Sequence, residues 1–493
     1  MLAVARTFTV LGIEAREVTV EADVRAGLPS FALVGLPDAA VRESRERVRA
    51  ALANSGFEFP QRRITANLAP ADLRKAGPGF DLAIAAAVLA ATGQLPEHAL
   101  ADVALAGELA LDGSIRPVPG TMAMAEAASR AGARIVVASA CGPEAALAAA
   151  AGVVPVERLE QLQALGSDAE PPAPAPLRPD RNGGRGLADL ADLQGQPGLR
   201  RALEVASAGG HSVLISGPPG AGKSMAARRL PSILPALGPA EALEAARVAS
   251  ACGRSVEEAM AGRRPFRAPH HTISTAGLIG GGTPPRAGEV TLAHRGVLFL
   301  DELPEFGRDA LEALRQPLED GSIRLVRARH AVELPCRFQL IAASNPCPCG
   351  RGPRSGSCTC DPGSVRAYEA KLTGALADRL DISLAVEQPD PRSLTDRGAR
   401  SAAVLDRVLA ARERQRARTG DDRANAERAG SEIRVGAEVE AMLVRASQAG
   451  GLSGRGRERV IRLARTVADL GGRDEITLAD AEEALSLRRR EAR

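Results

Sequence analysis

The sequence predicts a multidomain α/β protein that ends in a helical domain, and three observations support this fold class. The chain has 493 residues, more than one hydrophobic core usually organises. Short apolar runs such as "SVLIS" and "VLFL" are typical of buried parallel strands. From residue 389 onwards, apolar residues recur at helical spacing. With 45% hydrophobic and 25% charged residues, the composition is that of a globular protein, and no apolar run is long enough to cross a membrane.

The proline- and glycine-rich stretch "DAEPPAPAPLRPDRNGGRG", residues 168–186, predicts a linker. It separates a mixed α/β N-terminal domain, residues 1–167, from an α/β core at residues 187–388. The start, "MLAVARTFTVLGIEAREVTV", alternates apolar and polar residues, which predicts a strand and not a signal peptide. Residues 389–493 form the predicted helical domain, with four segments of helical spacing: "RSAAVLDRVLAARERQRART", "AEVEAMLVRASQAG", "GRERVIRLARTVADLGG" and "TLADAEEALSLRRR".

The composition limits how the protein would contact nucleic acid. A net charge of +3 neither requires nor excludes such a partner, because binding needs a local basic surface. With no Trp, one Tyr and nine Phe, an aromatic platform for stacking bases is not expected, so contact would depend on Arg, Lys and backbone amides. The odd number of cysteines, seven, argues against a disulfide framework and favours a cytoplasmic protein.

The segment "SVLISGPPGAGKS" has the order of a strand, a glycine-rich loop and a helix, and it predicts a nucleotide site. Backbone N–H groups of such a loop surround phosphates at a helix N-terminus. Lys223 is expected to reach the β- and γ-phosphates, and Ser224 to bind Mg²⁺, so ATP and Mg²⁺ are the predicted cofactors. The complete motif comprises Gly217, Pro218, Pro219, Gly220, Ala221, Gly222, Lys223 and Ser224.

Polar residues end two further apolar runs downstream of this loop. In "RGVLFLDELPEF", Asp301 is predicted to hold Mg²⁺, directly or through a water molecule, and Glu302 is the predicted base or orienter for the attacking water. In "RFQLIAASN", Asn345 is placed to position that water, with a turn at a strand end as the alternative. Together these motifs resemble the AAA+ family of ATPases, in which Asn345 matches the first sensor.

Two arginines match the magnesium chelatase and replicative helicase subgroup of that family. "LTGALADRLDI" resembles the segment with the arginine finger, and Arg379 is the matching residue. A finger acts on a neighbouring subunit, so the resemblance implies a ring. "GLSGRGRERVIRLART" resembles the second-sensor helix, with Arg455 as the match and Arg457 and Arg459 as competitors. Plain surface arginines are the alternative for Arg379 and Arg455.

The segment "GSIRLVRARHAVELPC" predicts a hairpin immediately before the sensor strand, because apolar residues alternate on both sides of "VRARHA". In the subgroup just named, a hairpin at this place projects toward the central pore. A basic hairpin there would suit a phosphate backbone contacted without sequence preference. A solvated basic tip is the alternative. The candidate DNA-binding residues are Arg324, Arg327, Arg329 and His330.

The N-terminal region, including "LVGLPDAAVRESRERVRAAL" and "GTMAMAEAASRAGARIVVAS", resembles the proteolytic domain of Lon. Lon needs a Ser nucleophile and a Lys that activates it. Gly79 and Met122 stand at those positions, so the resemblance implies a Lon-like α+β domain without proteolysis. A structural or a DNA-binding role is left, with "DLRKAG" and "FPQRRIT" as modest basic patches.

Over nearly the whole chain, motifs such as "PFRAPHHTIS" and "NPCPC" resemble the ComM/YifB family of bacterial magnesium-chelatase-like AAA+ proteins. The resemblance implies an AAA+ core, a helical C-terminal lid and a hexameric, ATP-driven motor for DNA branch migration or unwinding, linked to natural transformation. The alternative is the motor subunit of a magnesium-chelatase-type complex, whose partner would carry the D-x-S-x-S motif that this chain lacks. A protease or unfoldase is disfavoured by Gly79 and Met122.

"NPCPCGRGPRSGSCTC" follows the predicted sensor and contains a C-x-C-x₈-C-x-C pattern. Four thiolates can form a closed tetrahedral zinc site. Reduced cysteines packed in a turn are the alternative, and a redox role is less favoured because catalytic dithiols usually show C-x-x-C. For His270 and His271, which lack an acidic or cysteine partner at metal spacing, packing or loop anchoring is preferred. The candidate zinc ligands are Cys347, Cys349, Cys358 and Cys360.

Overall fold

The computed structural model describes residues 1–149, 152–166, 172–177, 188–282, 285–327, 330–352, 357–373, 376, 379–395, 398–449 and 452–488. Within these ranges, no helix has the length and apolar character needed to cross a membrane. Most of the predicted linker lies outside the described residues.

The N-terminal domain is built around a seven-stranded mixed sheet in the order β3-β4-β2-β1-β5-β8-β9. All residues of helix α2 are buried against this sheet and its neighbours. The strands are β1 (Leu2–Leu11), β2 (Glu14–Arg25), β3 (Ser30–Val34), β4 (Arg63–Ala69), β5 (Val103–Ala106), β6 (Glu108–Leu109), β7 (Ile115–Arg116), β8 (Arg134–Ala138) and β9 (Val153–Val156). The helices are α1 (Ala39–Asn54), α2 (Asp81–Ala91), α3 (Thr121–Arg130) and α4 (Gly142–Ala148).

Two expectations for this domain need correction. The segment predicted as one strand forms two antiparallel strands, β1 and β2, because Gly12 adopts a left-handed conformation, φ 66°, at a tight turn. Lys75, expected in a basic patch, is fully buried, and its Nζ donates to the carbonyl of Pro70. Burial lowers the pKa of Lys75, and the side chain adds no charge to the surface. Gly79 lies in a short 3₁₀ turn and Met122 is buried in α3.

The second region contains a parallel five-stranded sheet in the order β11-β14-β17-β10-β18, with two small hairpins, β12–β13 and β15–β16. The strands are β10 (Val213–Ser216), β11 (Phe266–Arg267), β12 (Gly280–Gly281), β13 (Arg286–Ala287), β14 (Val297–Leu300), β15 (Ser322–Arg327), β16 (His330–Pro335), β17 (Gln339–Ser344) and β18 (Ile382–Ala385). The helices are α5 (Pro197–Gly209), α6 (Lys223–Arg229), α7 (Pro239–Ala251), α8 (Glu257–Met260), α9 (Thr275–Ile279), α10 (Glu289–Leu292), α11 (Arg308–Ala313), α12 (Arg315–Asp320) and α13 (Pro362–Thr373).

The strand order determines what meets at the carboxyl edge of this sheet. β10, β14 and β17 are neighbouring parallel strands, so their carboxyl ends lie side by side. The predicted phosphate loop follows β10, Asp301 follows β14 and Asn345 follows β17. In open α/β sheets, ligands bind in the crevice outside these strand ends.

The four helices predicted in the C-terminal region are confirmed as α14 (Ser401–Thr419), α15 (Ala437–Gln448), α16 (Gly454–Leu470) and α17 (Leu478–Ser486). Their apolar faces share one hydrophobic cluster with the sheet: Val408 and Val460 belong to the same cluster as Val213 and Ile341. The helical region therefore shares a core with the parallel sheet, and α14 and α16 pack against α5.

Candidate nucleotide-binding site

The loop of residues 217–222 joins β10 to α6, as the motif predicts. A Cβ at Gly217 would lie 2.3 Å from the carbonyl oxygen of Val386, so only glycine allows the loop to pass the end of β18 this closely. Gln388 Nε2 donates to the carbonyl of Pro219 at 2.8 Å. Gln196 Nε2 donates to the carbonyls of Ala221, at 3.1 Å, and Glu387, at 2.6 Å. Neither glutamine was singled out from the sequence, although both hold the loop from outside.

Lys223 lies in the first turn of α6, and its side chain is directed back into the loop. Its Nζ donates to the carbonyls of Gly217, at 2.5 Å, and Pro218, at 2.9 Å, and to Asn345 Oδ1 at 3.1 Å. Burial lowers the pKa of Lys223, and the nearby carboxylates of Asp301 and Glu302 oppose that shift. A cation held at this point can contact phosphate oxygens, which accept charge-assisted hydrogen bonds more strongly than neutral carbonyls do.

Ser224 and Asp301 are brought together from two different strand ends. Ser224 Oγ donates to Asp301 Oδ2 at 2.6 Å. Neighbouring ligands of an octahedral Mg²⁺ ion, with metal–oxygen bonds of about 2.1 Å, are roughly 3 Å apart. A hydroxyl and a carboxylate at this spacing therefore suit two adjacent positions on one Mg²⁺ ion.

Glu302 follows Asp301 in a left-handed conformation, φ 52° and ψ 47°, which is uncommon for a residue with a side chain. This backbone turn is accompanied by a contact between Glu302 Oε2 and His271 Nδ1 at 3.1 Å. His271 also packs edge-on against Phe306, with ring centroids 6.5 Å apart. The carboxylate of Glu302 is thus held by a histidine that the sequence assigned only to packing or loop anchoring.

The strand that precedes His271 explains its position in the site. The residue follows β11, which pairs in parallel with β14, so polar residues after β11 reach the same edge of the sheet as Asp301. β11 has only two residues, Phe266–Arg267, which is too short for an apolar pattern to reveal it.

Asn345 lies beside the phosphate loop, at the end of β17. Besides the contact of its side chain with Lys223, its backbone N–H donates to the hydroxyl oxygen of Tyr368, whose pKa burial raises to about 12. Asn345 therefore lies beside the phosphate loop, as expected from the sequence, and Tyr368 on α13 is an additional contact.

The two predicted arginines lie in different surroundings. Arg379 is largely buried, with 15% of its side chain exposed, and it forms an ion pair with Glu319. Arg455 is exposed in the first turn of α16. Its competitors are engaged elsewhere: Arg457 pairs with Glu440 at 2.6 Å, and Arg459 with the buried Asp381 at 3.3 Å. Arg455 is the most exposed of the three arginines.

The predicted hairpin is present as β15–β16, with Ile323 opposite Leu334 and Leu325 opposite Val332. Arg324 is exposed, and Glu333 stands directly opposite it, which lowers the local positive charge. Arg329 lies outside the described residues, as do the side chains of Arg327 and His330.

The four cysteines after Asn345 form one cluster. Their Sγ atoms lie within 4.8 Å of one another, and three of the separations are 3.4 to 3.7 Å. A regular tetrahedron with zinc–sulfur bonds of about 2.3 Å has sulfur atoms about 3.8 Å apart. Backbone N–H groups of Cys349 and Gly352 donate to the sulfurs of Cys360 and Cys347, both at 3.3 Å. The donor set and its spacing suit a zinc ion.

The parallel sheet, the phosphate loop and the residues at the neighbouring strand ends define a P-loop ATPase of the AAA+ class. Three family comparisons agree with this class. Residues 189–394 match the magnesium chelatase subunit ChlI family, residues 20–141 match the family described as subunit ChlI of Mg-chelatase, and residues 398–488 match the ChlI C-terminal family.

Relatives that match over nearly their whole length identify the family within this class. YifB of Escherichia coli is 42% identical over 99% of this chain and 97% of its own length. The competence protein ComM of Haemophilus influenzae is 40% identical, with the same two coverages. An uncharacterised protein of Mycobacterium tuberculosis is 43% identical over the full length of both chains. The chain belongs to the YifB/ComM family of magnesium-chelatase-like AAA+ ATPases.

Proposed function

We propose that this chain is the subunit of a ring-shaped, ATP-driven DNA motor of the helicase or branch-migration type, linked to natural transformation and recombination. The observation that carries the proposal is the connection between the hairpin and the sensor. Only residues 336–338 separate β16 from β17, and β17 ends at Ser344, directly before Asn345 beside the phosphate loop. Movement at the nucleotide can therefore reach the hairpin through one short strand. The name of the related competence protein ComM supports a role in DNA handling.

In the proposed reaction, ATP and Mg²⁺ bind at the carboxyl edge of the parallel sheet. Lys223, whose Nζ is directed into the loop, would contact the β- and γ-phosphates, and Ser224 and Asp301, which lie within hydrogen-bond distance of each other, would hold the metal ion. Glu302 accepts a proton from the attacking water, and Asn345 orients that water. Mg²⁺ held by these residues would neutralise charge that develops on the phosphates.

The assembly is proposed as a cytoplasmic homohexameric ring in which Arg379 reaches the site of a neighbouring subunit and Arg455 contacts the nucleotide of its own. Residues 1–167 form a Lon-like domain without proteolytic activity, followed by the linker at 168–186. Residues 187–388 form the AAA+ core, and residues 389–493 the helical lid.

DNA is proposed to contact the tips of the β15–β16 hairpins around the ring. Arg324, with Arg327, Arg329 and His330, would supply positive charge repeated in every subunit. Such charges contact the phosphate backbone without reading the bases, so single-stranded or branched DNA of any sequence would bind.

The test is the ATPase rate with and without single-stranded DNA, followed by unwinding of forked and three-stranded substrates. We expect DNA to stimulate hydrolysis and Arg324→Glu to weaken binding and to flatten its salt dependence, by about 0.7 in log–log slope per lost phosphate contact. Arg254→Glu, an exposed arginine distant in sequence, is the matched control. If the protein neither bound DNA at moderate salt nor hydrolysed ATP faster in its presence, the proposal of a DNA motor would be refuted.

The second candidate is the ATPase subunit of a magnesium-chelatase-type complex. It is favoured by the family comparisons, since all three matched families are named for a chelatase subunit. This alternative requires a partner with a metal-binding domain and predicts ATPase stimulation by that partner and none by DNA. The same assay therefore separates the two candidates.

We also propose that the four clustered cysteines hold a structural Zn²⁺ ion that supports the sensor. Cys347 is two residues from Asn345, and a Cβ at Gly350 would lie 3.0 Å from Pro219 Cγ of the phosphate loop. The cysteine loop thus lies against both the sensor and the phosphate loop. A closed tetrahedral site would fix a segment that has little apolar core of its own.

Cys358→Ser is expected to reduce bound zinc from about one equivalent per chain to a small fraction, because three thiolates bind zinc less well than four. Metal analysis of the purified protein measures this directly. Cys252→Ser, outside the cluster, is the control and should leave the metal content unchanged. A wild-type protein that contains no zinc when purified from zinc-supplemented cells would contradict the assignment.

A further inference from the structure

The apolar face of the β15–β16 hairpin is covered by the N-terminal domain. Val332 is 8% exposed and Leu334 fully buried, and both belong to the hydrophobic cluster of the N-terminal sheet and its helices. The contact is made with the β1–β2 turn, since a Cβ at Gly12 would lie 2.3 Å from Val332 Cγ1 and 2.9 Å from Leu334 Cδ2. Glycine at this position permits both the left-handed turn and the close approach of the hairpin.

β15, the first strand of the hairpin, connects the hairpin to the ATPase core. Ile323 belongs to the cluster around β14 and β17, and Leu325 packs against both clusters. The hairpin therefore lies between the N-terminal domain and the core: β16 contacts the N-terminal domain, and β15 contacts both. Its other face, with Arg324 and Glu333, is exposed.

A second contact joins the two domains at α3 and α7. The backbone N–H of Gly120 donates to the carbonyl of Ser250 at 2.8 Å, and that of Met122 to Ser250 Oγ at 3.2 Å. Ser250 thus satisfies backbone donors at the start of α3 that have no partner within the helix. Arg247 and Glu126 add an ion pair at 3.0 Å. The N-terminal domain is therefore also held on the core at a place separate from the hairpin.

We propose that the N-terminal domain is the docking partner of the hairpin and fixes its position relative to the ATPase core. The hairpin then moves together with the β1–β2 turn and not as an independent loop. The docked face uses apolar residues and leaves the charged face available to a substrate. Because α3 and α7 provide a separate attachment, releasing the hairpin does not release the domain.

The experiment is hydrogen–deuterium exchange of the full-length protein, read on peptides that cover residues 322–335. Gly12→Ala places a methyl group against Val332 and is expected to raise exchange in these peptides about tenfold, since amides in a less packed segment open more often. Gly56→Ala is the matched control: Gly56 also has a left-handed conformation, φ 77°, but a Cβ there meets no atom within 4 Å.

A double variant separates loss of docking from general damage. In Gly12→Ala combined with Val332→Ala, the shortened side chain at 332 makes room for the new methyl group, so exchange should return most of the way toward that of wild type. Equal exchange in Gly12→Ala and Gly56→Ala would overturn the proposal, as would a double variant that exchanges faster than the single one. Circular dichroism and exchange in α3 and α7 report on folding of the remainder.

A measurement of the ATPase rate tests a functional consequence of the docking, and this consequence also rests on the proposed DNA motor. Gly12→Ala should retain the ATPase rate measured without DNA and lose at least half of the stimulation by DNA, because the hairpin no longer holds its position. If wild type shows no stimulation, the motor proposal fails, while the exchange experiment still tests the docking. Full stimulation in Gly12→Ala, together with raised exchange, would show that docking has no part in DNA response and would overturn this consequence.

Discussion

Replacing Glu302 by glutamine is expected to lower the rate of ATP hydrolysis by about 10²- to 10⁴-fold, the usual contribution of a general base. Glutamine keeps the size of the side chain and can still contact His271, but it cannot accept a proton from water. Ser224, Lys223 and Asp301 are unchanged, so ATP binding should be retained. Steady-state phosphate release and equilibrium binding of a fluorescent ATP analogue measure the two effects separately.

Glu305→Gln is the matched control, because Glu305 is an exposed carboxylate three residues further along the same loop. Its hydrolysis rate should stay close to that of wild type. If Glu302→Gln hydrolysed ATP at a normal rate, Glu302 would not be the base. If it lost ATP binding as well as hydrolysis, the carboxylate would serve the local fold through His271.

Replacing Arg379 by alanine is expected to reduce hydrolysis by about 10³-fold or more while ATP still binds, as for removal of an arginine finger. The physical reason is that an arginine finger neutralises charge on the transferred phosphoryl group in the transition state, and Arg379 in this role would contribute little to ground-state binding. Arg308→Ala, with a side chain 87% exposed, is a suitable control.

Mixing variants tests whether Arg379 acts on a neighbouring subunit. A Lys223→Ala subunit has a disabled phosphate site but an intact Arg379, and an Arg379→Ala subunit has the reverse. Mixed assemblies should recover part of the activity that each variant lacks alone, because some interfaces then combine an intact site with an intact arginine. Loss of activity without recovery in mixtures would place the role of Arg379 within its own chain, where it pairs with Glu319.

Much of the candidate site was predictable because its residues lie at the ends of apolar runs. A run such as "VLFL" predicts a buried strand, and parallel strands in one sheet place their carboxyl ends at one edge. The contacts of Lys223 with Asn345 and of Ser224 with Asp301 follow from this rule, although the residues are 122 and 77 positions apart. The four helices of the C-terminal region were equally predictable from their periodicity.

His271 and Lys75 were not predictable in the same way. The strand before His271 has only two residues, so no apolar pattern in the sequence predicts that this histidine reaches Glu302. Lysine is usually exposed, and its burial at position 75 depends on a carbonyl acceptor supplied by Pro70 and on the packing around it.

Local spacing and the regularity of a parallel sheet were enough to predict the P-loop ATPase core, the polar strand ends, the hairpin and the cysteine pattern. The contact of Glu302 with His271 and the docking of the hairpin on the β1–β2 turn depend on tertiary packing. Alternation in β15 and β16 predicts which face is buried, but not what covers it. The covering surface at Gly12 is more than 300 residues away along the chain and is brought there by the packing of two domains.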